Sequence, residues 1–473
     1  MKKYSFIIIF ILLFCCSCSS NKSQLKEEAS LTHLTIPISY ENISLDPTLV
    51  SNGAEKNVVS QLYDGLTYIN SSKNSASPLL ANSYTHSEDY KIWTFELREG
   101  LKFSDGTDIT PSEVVSSLKR TDLARRYKNL TIHNENYNIL IKSDNPMIYL
   151  DELLAYPKYL ITKEGTDFSD YKNIISSGSY KLKDYKDNTL ELIRNDNYWD
   201  NINTKINSVT YEYQKDPELA YQMSTQDLYD IFSTSMYDIP KYKLRSMISD
   251  PNIVKFKGNN IAYLYLNPNS KILNENLRKS LIFSLERQSI VNTDLTGYET
   301  PLISLFEENS FSDYDTDTAR KFFNDSNYND KSNENISMLI RDKYGAKNIA
   351  SFVITNWYKL FKLPVKGKVV TDKTLLESLD NGSFDIILDI YDSTDINSYD
   401  FFDYIANIYS INYNNNSMNV DELKNYASSF EKSLQSNATL GTIYKNSYIM
   451  KINSKIKFIS SNLYGITYIR EIQ

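Results

Sequence analysis

Alternation of apolar and polar residues predicts several strands. Residues 92–97 (IWTFEL) alternate as a half-buried strand does, and Val209, Tyr211 and Tyr213 repeat the pattern. Other runs are apolar at nearly every position, and such runs are typical of central strands that are covered on both faces. These runs are residues 261–266 (IAYLYL) and 384–390 (FDIILDI).

Two helices are predicted from spacing and capping. A leucine at every fourth position from Leu277 to Leu285 predicts a helix of about a dozen residues that ends near Arg287. Thr110, followed by proline and by Glu113 three positions later, forms a capping box that predicts the start of another helix. Strands that alternate with helices make the fold class α/β or α+β.

The chain begins with an export signal. Lys2 and Lys3 precede residues 4–14 (YSFIIIFILLF), an apolar run. As a helix this run is about 16 Å long, about half the ~30 Å hydrocarbon core, so it predicts a signal-peptide core and not a membrane span. Because no second long apolar segment follows, we expect the rest of the chain to be soluble and to face away from the cytoplasm.

All three cysteines of the 473-residue chain lie within its first eighteen residues. This segment resembles a bacterial lipoprotein signal, in which cleavage after a small residue leaves a cysteine to be lipidated. Ser17 is the small residue and Cys18 the lipidated candidate, while Cys16 stays an alternative because Leu13 stands three positions before it. An ordinary cleaved signal with incidental cysteines is the other interpretation.

Lipidation of the first residue after the cleavage site would anchor the protein outside the cytoplasm. Residues 1–17 are then the signal peptide and residues 18–30 a polar tether. Several acyl chains make membrane attachment lasting, either at the periplasmic face or at the cell surface. The folded body keeps no disulfide, no zinc–thiolate site and no catalytic thiol.

Composition and motifs argue against nucleic-acid binding and against catalysis. The chain has 51 Lys plus Arg against 59 Asp plus Glu, a net charge of −8, which disfavours binding to phosphate backbones. No nucleophile-elbow, Walker or zincin motif occurs, and His33, His86 and His133 lie about fifty residues apart. Asp385 and Asp389 share a strand face, where solvation or an ion pair is the expected role. We therefore expect no enzyme, no metal site and no cofactor.

A series of short motifs runs in order along most of the chain. They are residues 45–47 (LDP), 62–66 (LYDGL), 78–84 (PLLANSY), 93–106 (WTFELREGLKFSDG), 178–182 (GSYKL), 193–199 (IRNDNYW) and 277–287 (LRKSLIFSLER). The series resembles the oligopeptide-binding lipoproteins that serve ABC importers, the solute-binding proteins of family 5. The block at 93–106 carries the most specific part of this resemblance.

The resemblance implies an α/β, periplasmic-binding-protein-like fold of the large type, with two lobes joined by two crossover strands. Domain I would take residues 31–65, 176–265 and 450–473, and an inserted domain II would take 66–175. These two domains are called the first lobe below. Domain III, residues 266–449, would form the second lobe. Ligand binding closes the lobes, and a membrane permease recognises the closed form.

The resemblance also implies how a peptide would be held. An extended peptide would add a strand between the lobes, so that backbone hydrogen bonds supply affinity without reading sequence. By position, the partners in the first lobe are Ser51, Asn52 and Gly53, and those in the second lobe are Asp392, Ser393 and Thr394.

An aspartate is expected to pair with the terminal ammonium of the peptide. Asp395 falls at the place of the family's aspartate, and Phe402 falls at the phenylalanine that follows it. Two alternatives remain open: Asp395 makes a local turn with Asn397, or Asp392 takes the ammonium.

Three residues on or just after the predicted strand 261–266 are further candidates for the cleft. Tyr263, Tyr265 and Asn267 are expected either to line it or to serve packing and turn formation.

The expected function is capture of short peptides and their transfer to the permease and ATPase subunits of an ABC transporter. We expect a monomer held at the membrane by its lipid anchor. A non-peptide solute, such as an oligosaccharide or a metal complex, is the alternative within the same fold. A surface adhesin or sensor on the same scaffold, and more remotely an anchored hydrolase, are alternatives from other classes.

Overall fold

The computed structural model describes residues 31–294, 299–306, 314–328, 335–343, 345–394, 397–412 and 418–473. The predicted signal, the tether, both lipidation candidates and Asp395 lie outside these residues. Strands and helices alternate along the described chain, which confirms the mixed α/β class. None of the helices in this described part has the length and apolar character needed to cross a membrane.

A four-stranded sheet lies in predicted domain I. Its strands are β1 (His33–Ile38), β8 (Tyr180–Lys186), β9 (Thr189–Arg194) and β10 (Ser208–Tyr213). The order is β1-β10-β9-β8, with β1 and β10 parallel and the other pairs antiparallel. Val209 and Tyr211 are buried on β10, so the alternation predicted there is confirmed.

A second four-stranded sheet lies in predicted domain II. It is antiparallel, in the order β4-β5-β7-β6, and a hairpin of β2 and β3 precedes it. The strands are β2 (Thr67–Asn70), β3 (Ser75–Pro78), β4 (Ala81–His86), β5 (Ile92–Leu97), β6 (Thr131–Glu135) and β7 (Asn138–Lys142). Trp93, Phe95 and Leu97 are buried while their neighbours on β5 are more exposed, as the alternation predicts.

The largest sheet has seven strands among the described residues. They are β11 (Ile231–Ser233), β12 (Ile253–Leu266), β13 (Thr300–Pro301), β14 (Ile336–Arg341), β15 (Val365–Val370), β16 (Ile386–Asp392) and β17 (Leu440–Ile452). The order is β11-β17-β12-β16-β14-β15, and β13 pairs with β17. The two runs predicted as central strands, β12 and β16, are neighbours in the middle of this sheet, which confirms that prediction.

Both faces of the central strands are covered. Ala262, Leu264 and Leu266 on β12 pack into one apolar core, while Tyr263 and Tyr265 pack into a second core on the opposite face. Successive side chains of a strand point to opposite faces, so a strand between two cores favours apolar residues at nearly every position.

Thirteen α-helices surround the sheets in the described chain. They are α1 (Gly53–Leu62), α2 (Pro111–Lys119), α3 (Leu123–Arg126), α4 (Leu150–Leu153), α5 (Pro217–Thr225), α6 (Lys241–Met247), α7 (Glu275–Phe283), α8 (Arg287–Asp294), α9 (Thr316–Asp325), α10 (Ala346–Phe361), α11 (Asp372–Asp380), α12 (Asp400–Ile408) and α13 (Val420–Ser436). Short 3-10 helices lie at Pro47–Leu49, Pro157–Tyr159, Tyr171–Asn173, Asn201–Asn203 and Ile469–Glu471.

Both predicted helices form, with corrections at their ends. Thr110 caps α2 by accepting from the backbone N–H of Glu113 at 3.3 Å, but the Glu113 carboxylate accepts from the backbone N–H of Glu164 at 2.9 Å. The expected reciprocal bond of a capping box is therefore replaced by a tertiary contact. The leucine helix ends at Phe283, before Arg287, since Ser284 ends the helix and its hydroxyl donates to a carbonyl of the last turn.

Two long antiparallel strands, β12 and β17, run between the predicted lobes. Their first-lobe halves pair Ile253 with Lys451, and their second-lobe halves pair Tyr265 with Leu440. The register shifts between Lys257 and Ile261, where the backbone N–H of Asn260 donates to the Asn446 side chain at 2.8 Å. The predicted domain boundaries stay a prediction, and this irregular stretch lies a few positions before the one at residue 265.

Candidate functional site

A cavity of about 340 Å³ lies where the first lobe, the second lobe and the two long strands meet. Such a volume lies at the lower end of the range of small-molecule sites, roughly 300–1,000 Å³. Residues from both lobes and from the crossover strands line it. They are Tyr40, Ser51, Asn52, Gly53, Lys56, Thr234, Ser235, Met236, Tyr237, Asp238, Asn260, Glu299, Asp342, Lys343, Ile390, Asp392, Tyr444, Asn446, Ser447, Tyr448 and Tyr464.

The wall of the first lobe is built by the N-terminal turn of α1. Asn52 caps this helix by accepting from the backbone N–H of Glu55 at 3.0 Å. The Glu55 carboxylate in turn accepts from the backbone N–H and the hydroxyl of Ser51, at 2.7 and 2.9 Å. This short network fixes the backbone of residues 51–53 at the cavity edge.

Gly53 stands where no side chain fits. A Cβ atom at this position would lie 1.7 Å from the backbone carbonyl oxygen of Ser235. Glycine therefore lets the start of α1 pack directly against residues 234–236, which form the adjoining wall.

An ion pair joins the two lobes at the inner end of the cavity. The Lys56 ammonium on α1 contacts Oδ2 of Asp392, which ends β16, and the Tyr156 hydroxyl donates to the same oxygen at 3.0 Å. Oδ1 of Asp392 is buried and has no hydrogen-bond partner in the described part of the chain. Burial raises the pKa of Asp392, but Lys56, Lys343 and Tyr156 outweigh it and hold the pKa below its ordinary value. Asp392 is therefore a carboxylate with one free acceptor.

Tyr464, near the C-terminus, makes the next contact between the lobes. Its hydroxyl donates to the backbone carbonyl of Thr394 at 2.7 Å, and its ring packs edge-on against that of Tyr156 at 5.2 Å. Lys56, Tyr156, Asp392, Thr394 and Tyr464 thus form one connected set of contacts beside the cavity.

The wall of the second lobe contains a buried charge network. Asp389 is fully buried and accepts from Arg341 at 3.0 Å and from the Tyr404 hydroxyl at 2.8 Å. The Lys343 ammonium lies 3.6 Å from Asp389 and donates to the Ile390 carbonyl. Burial lowers the pKa of Lys343, although Asp389 opposes this effect. The ion-pair role expected for Asp389 is the one observed.

The cavity lining carries more acids than bases. Its charged residues are Lys56, Lys343, Asp238, Glu299, Asp342 and Asp392. An excess of carboxylates favours a ligand that brings positive charge. No group of three or more His, Cys, Asp or Glu side chains in the described residues is placed to hold a metal ion.

The structure brings four of the predicted site residues together. Ser51, Asn52 and Gly53 face Asp392 across the cavity. Asp395 lies outside the described residues, so its role stays a prediction.

Of the other predicted residues in the 392–402 segment, none lines this cavity, but Thr394 lines a second cavity. The hydroxyls of Ser393 and Thr394 donate to the buried Asp400 carboxylate at 2.6 and 2.8 Å. Phe402 is fully buried and packs on Phe306. These side-chain contacts hold the segment together, and the predicted backbone pairing with a peptide stays a prediction.

The residues predicted on the second half of β12 also serve packing. The Tyr263 hydroxyl bonds to Tyr409 at 3.1 Å, and the Tyr265 ring stacks on the same residue at 3.5 Å. The Asn267 side chain donates to the Phe384 carbonyl at 2.9 Å and accepts from Asn269, so it forms a turn. The cavity lies at the opposite end of this half-strand, beside Asn260.

Several lining residues were not predicted from the sequence. Lys56 follows Asn52 by four positions on α1, and this spacing is a signal that could have indicated it. Tyr444, Tyr448 and Tyr464 belong to the C-terminal part, which carries none of the matched motifs, so no signal pointed to them.

Comparison with known proteins identifies the family. The family of bacterial extracellular solute-binding proteins, family 5, matches residues 75–412 through the model of its middle region. The periplasmic oligopeptide-binding protein OppA of Salmonella typhimurium is 27% identical over 395 residues, which cover 72% of this chain and 71% of that protein. The oligopeptide-binding protein OppA of Bacillus subtilis is 25% identical over 373 residues, which cover 68% of this chain and 68% of that protein.

Solved structures share the fold. A periplasmic oligopeptide-binding protein from Borrelia burgdorferi superposes with a TM-score of 0.77 at 19% identity, covering 93% of this chain and 99% of that one. OppA of Haemophilus influenzae, in complex with the peptide RPPGFSPFR, superposes with a TM-score of 0.74 at 20% identity. The superposition covers 93% of this chain and 98% of that one. The expected two-lobe fold is thereby confirmed, and the chain belongs to the bacterial extracellular solute-binding proteins of family 5.

Proposed function

We propose that this protein captures short peptides in the cavity between its lobes and delivers them to the permease of an ABC importer. The observation that carries the proposal is the position of Ser51, Asn52 and Gly53 opposite Asp392, on different lobes but around one cavity. A ligand that touches both walls binds the closed form more tightly than the open form, and only such a difference shifts the population towards closure.

An extended peptide suits the two walls. The backbone of residues 51–53 is fixed by Asn52 and Glu55, and main-chain groups other than the bonded Ser51 N–H would pair with a peptide strand. Backbone pairing leaves the peptide side chains free, so we expect tolerance of many sequences.

The amino terminus of the peptide has two candidate partners. Asp395 is the aspartate implied by the family resemblance. Asp392 lines the cavity, where it already pairs with Lys56, and its lowered pKa keeps it ionised at neutral pH. Either carboxylate would form a charge-assisted hydrogen bond with an ammonium group.

The cellular setting follows from the N-terminal segment and from the family. We propose a lipid anchor on Cys18, or on Cys16, that holds a monomer outside the cytoplasm at the periplasmic face or at the cell surface. The permease and ATPase subunits of the transporter are the proposed partners, and the chain itself performs no catalysis.

A non-peptide solute is the second candidate. Five tyrosines line the cavity: Tyr40, Tyr237, Tyr444, Tyr448 and Tyr464. Aromatic rings with a polar tip also suit an oligosaccharide, since they stack on sugar faces and bond to hydroxyls. A metal complex, or an adhesin or sensor role on the same scaffold, has no such support in the cavity.

Titration calorimetry tests the peptide proposal. The ligands are a library of short peptides and the same peptides with acetylated amino termini. We expect the free peptides to bind and the blocked ones to bind at least about tenfold more weakly. Equal binding of blocked and free peptides would remove the amino-terminal role of both aspartates, and binding of oligosaccharides alone would replace the peptide proposal.

A further inference from the structure

A loop at one end of the domain I sheet presents two apolar side chains to solvent. The loop covers residues 195–207 and connects β9 with β10. Ile202 is 89% exposed, the highest value among the large apolar residues that the structure describes, and Trp199 is 40% exposed. We call these two residues the apolar pair. Single exposed apolar residues are common on protein surfaces, so exposure alone does not identify a contact surface.

The loop that carries the apolar pair is fixed to the body of the protein. The buried Asn195 side chain donates to the Gly178 carbonyl at 2.9 Å, and the Tyr198 hydroxyl donates to the buried Asp64 carboxylate at 2.8 Å. A loop held in this way does not fold Ile202 back onto a core. Its apolar surface therefore stays in water unless another body covers it.

The same loop meets the start of the described chain. The backbone N–H groups of Asn207 and Ser208 donate to the Thr32 carbonyl at 2.7 and 3.3 Å. Ile202 precedes Asn207 by five positions, so their Cα atoms are at most about 18 Å apart. The apolar pair therefore lies close to the point where the proposed tether joins the folded body.

The length of the tether restricts which face of the body can meet the membrane. Even when fully extended, the chain reaches at most about 50 Å from Cys18 to Thr32, or about 58 Å from Cys16. A chain of this length folds to a body roughly 55 Å across. Contact through the face opposite Thr32 would need the tether stretched to its limit or beyond it, whereas contact through the face around Thr32 needs no stretching.

The chemistry of the apolar pair suits a lipid surface. Tryptophan is enriched at membrane–water interfaces, where its ring lies at the level of the head groups, and an aliphatic side chain gains free energy when it leaves water. The Arg98 guanidinium lies 4.3 Å from the centre of the Trp199 ring and brings a cation to the same surface. Asp196 and Asp200 in the loop offset this charge, so we expect apolar contact to supply the attraction.

We propose that the apolar pair inserts into the lipid surface and orients the anchored protein on its membrane. The inference rests on the proposed lipid anchor and not on the identity of the ligand. An anchor alone does not set which face of the protein lies against the bilayer, and burial of Trp199 and Ile202 does. Both residues belong to predicted domain I, so the contact leaves the second lobe free to move during ligand capture.

The fluorescence of Trp199 tests the proposal without an added label. The chain has three tryptophans, and the other two, Trp93 and Trp357, are buried at 2% and 0% exposure. The full chain is produced in a bacterium that lipidates exported proteins and is purified from the membrane fraction, and its intact mass is measured. It is then reconstituted into phosphatidylcholine vesicles with or without bromine on the acyl chains. Bromine quenches an indole only at close range, so quenching reports Trp199 in the bilayer.

Two substitutions of exposed apolar residues complete the experiment. Ile202→Gln removes half of the apolar pair but keeps the fluorescent probe. Leu376→Gln is the matched control, because Leu376 is 53% exposed on α11 of the second lobe. We expect brominated lipid to quench Trp199 equally in the native chain and in Leu376→Gln. In Ile202→Gln the ratio of inserted to free Trp199 should fall at least about fivefold.

Each other outcome overturns the membrane contact. If the native chain carries acyl chains but brominated lipid does not quench it, or quenches Ile202→Gln just as strongly, the contact is excluded while the anchor and peptide binding stand. A blue shift that grows with protein density without quenching by bromine assigns the apolar pair to contact between two copies of the chain. Absence of acyl chains overturns the anchor and the contact together, and calorimetry with peptides on the same protein decides the peptide-binding function separately.

Discussion

Lys56 on α1 and Asp392 at the end of β16 form an ion pair across the two lobes, with the Lys56 side chain only 8% exposed. The Asp392 carboxylate also accepts from Tyr156, so Oδ2 has two partners, while Oδ1 is buried with no hydrogen-bond partner among the described residues. The contact that ties the lobes together is thus part of the wall that a ligand meets.

Removing one partner of this pair should destabilise the folded protein. In Lys56→Met the partly buried Asp392 carboxylate loses its cation, and such a loss costs about 3–5 kcal/mol. Lys56→Met/Asp392→Leu should recover part of that loss, since no buried charge is left alone. Urea unfolding measures both values.

A surface pair provides the control for this experiment. Lys102→Met breaks the exposed contact with Asp108 and should change the free energy of unfolding by at most about 1 kcal/mol. A loss in Lys56→Met no larger than in Lys102→Met would show that the ion pair between the lobes adds nothing to stability.

The lowered pKa of Asp392 predicts an acid-dependent stability. An unfolded aspartate has a pKa of about 3.9 and the folded one lies below it, so the unfolded state takes up the proton first as the pH falls. The contribution of Asp392 is therefore complete above about pH 4 and is lost as the pH falls through the folded pKa. Unfolding free energies of the native chain and Asp392→Asn should differ at neutral pH and converge in acid. A difference that grows in acid would contradict this sign.

Gly53→Ala should weaken ligand binding and stability together. The added Cβ would lie 1.7 Å from the Ser235 carbonyl, so α1 must move away from the wall that it builds. We expect a loss of several kcal/mol in urea unfolding, in the range of overpacked cores or above it. Gly100→Ala is the control that has backbone strain without a collision. Gly100 has φ +72°, but a Cβ atom added there meets no atom within 4 Å. The two variants should differ by at least about 1 kcal/mol, and equal losses would exclude the collision as the cause.

Arg470→Met should loosen the C-terminal segment. Arg470 pairs with the buried Asp64 at 3.0 Å, and Tyr198 donates to the other oxygen of the same carboxylate at 2.8 Å. Loss of the guanidinium leaves a buried carboxylate without a cation, so we expect about 3–5 kcal/mol lower stability by urea unfolding. The double variant Arg470→Met/Asp64→Asn should recover part of the lost stability, since no buried carboxylate remains. A double variant that is less stable than Arg470→Met would show that the buried charge is not the cause.

Strands and helices that depend on residues close together in the sequence could be predicted from it. The alternation at 92–97 and the cap at Thr110 depend on residues only a few positions apart, and both elements form as expected. Ser284 shows the limit, because the leucine spacing continues to Leu285 although the helix ends at Phe283. The pattern of leucines does not report where the helix backbone ends.

The site was harder to predict because its walls meet over long distances in the sequence. Alternation shows that Tyr263 and Tyr265 share a face, but not that this face is covered by a second core. Tyr464 reaches Thr394 across 70 positions. Only folding brings such residues together, so the sequence could indicate residues 51–53 and Asp392 through family resemblance and could not indicate Tyr464 at all.

Mass spectrometry of small molecules released from the purified native protein tests the proposed function most directly. Peptide capture between the lobes predicts recovery of peptides of mixed sequence and narrow length, in an amount comparable to that of the protein. Recovery of an oligosaccharide or a metal complex in that amount, with no peptide, would contradict it.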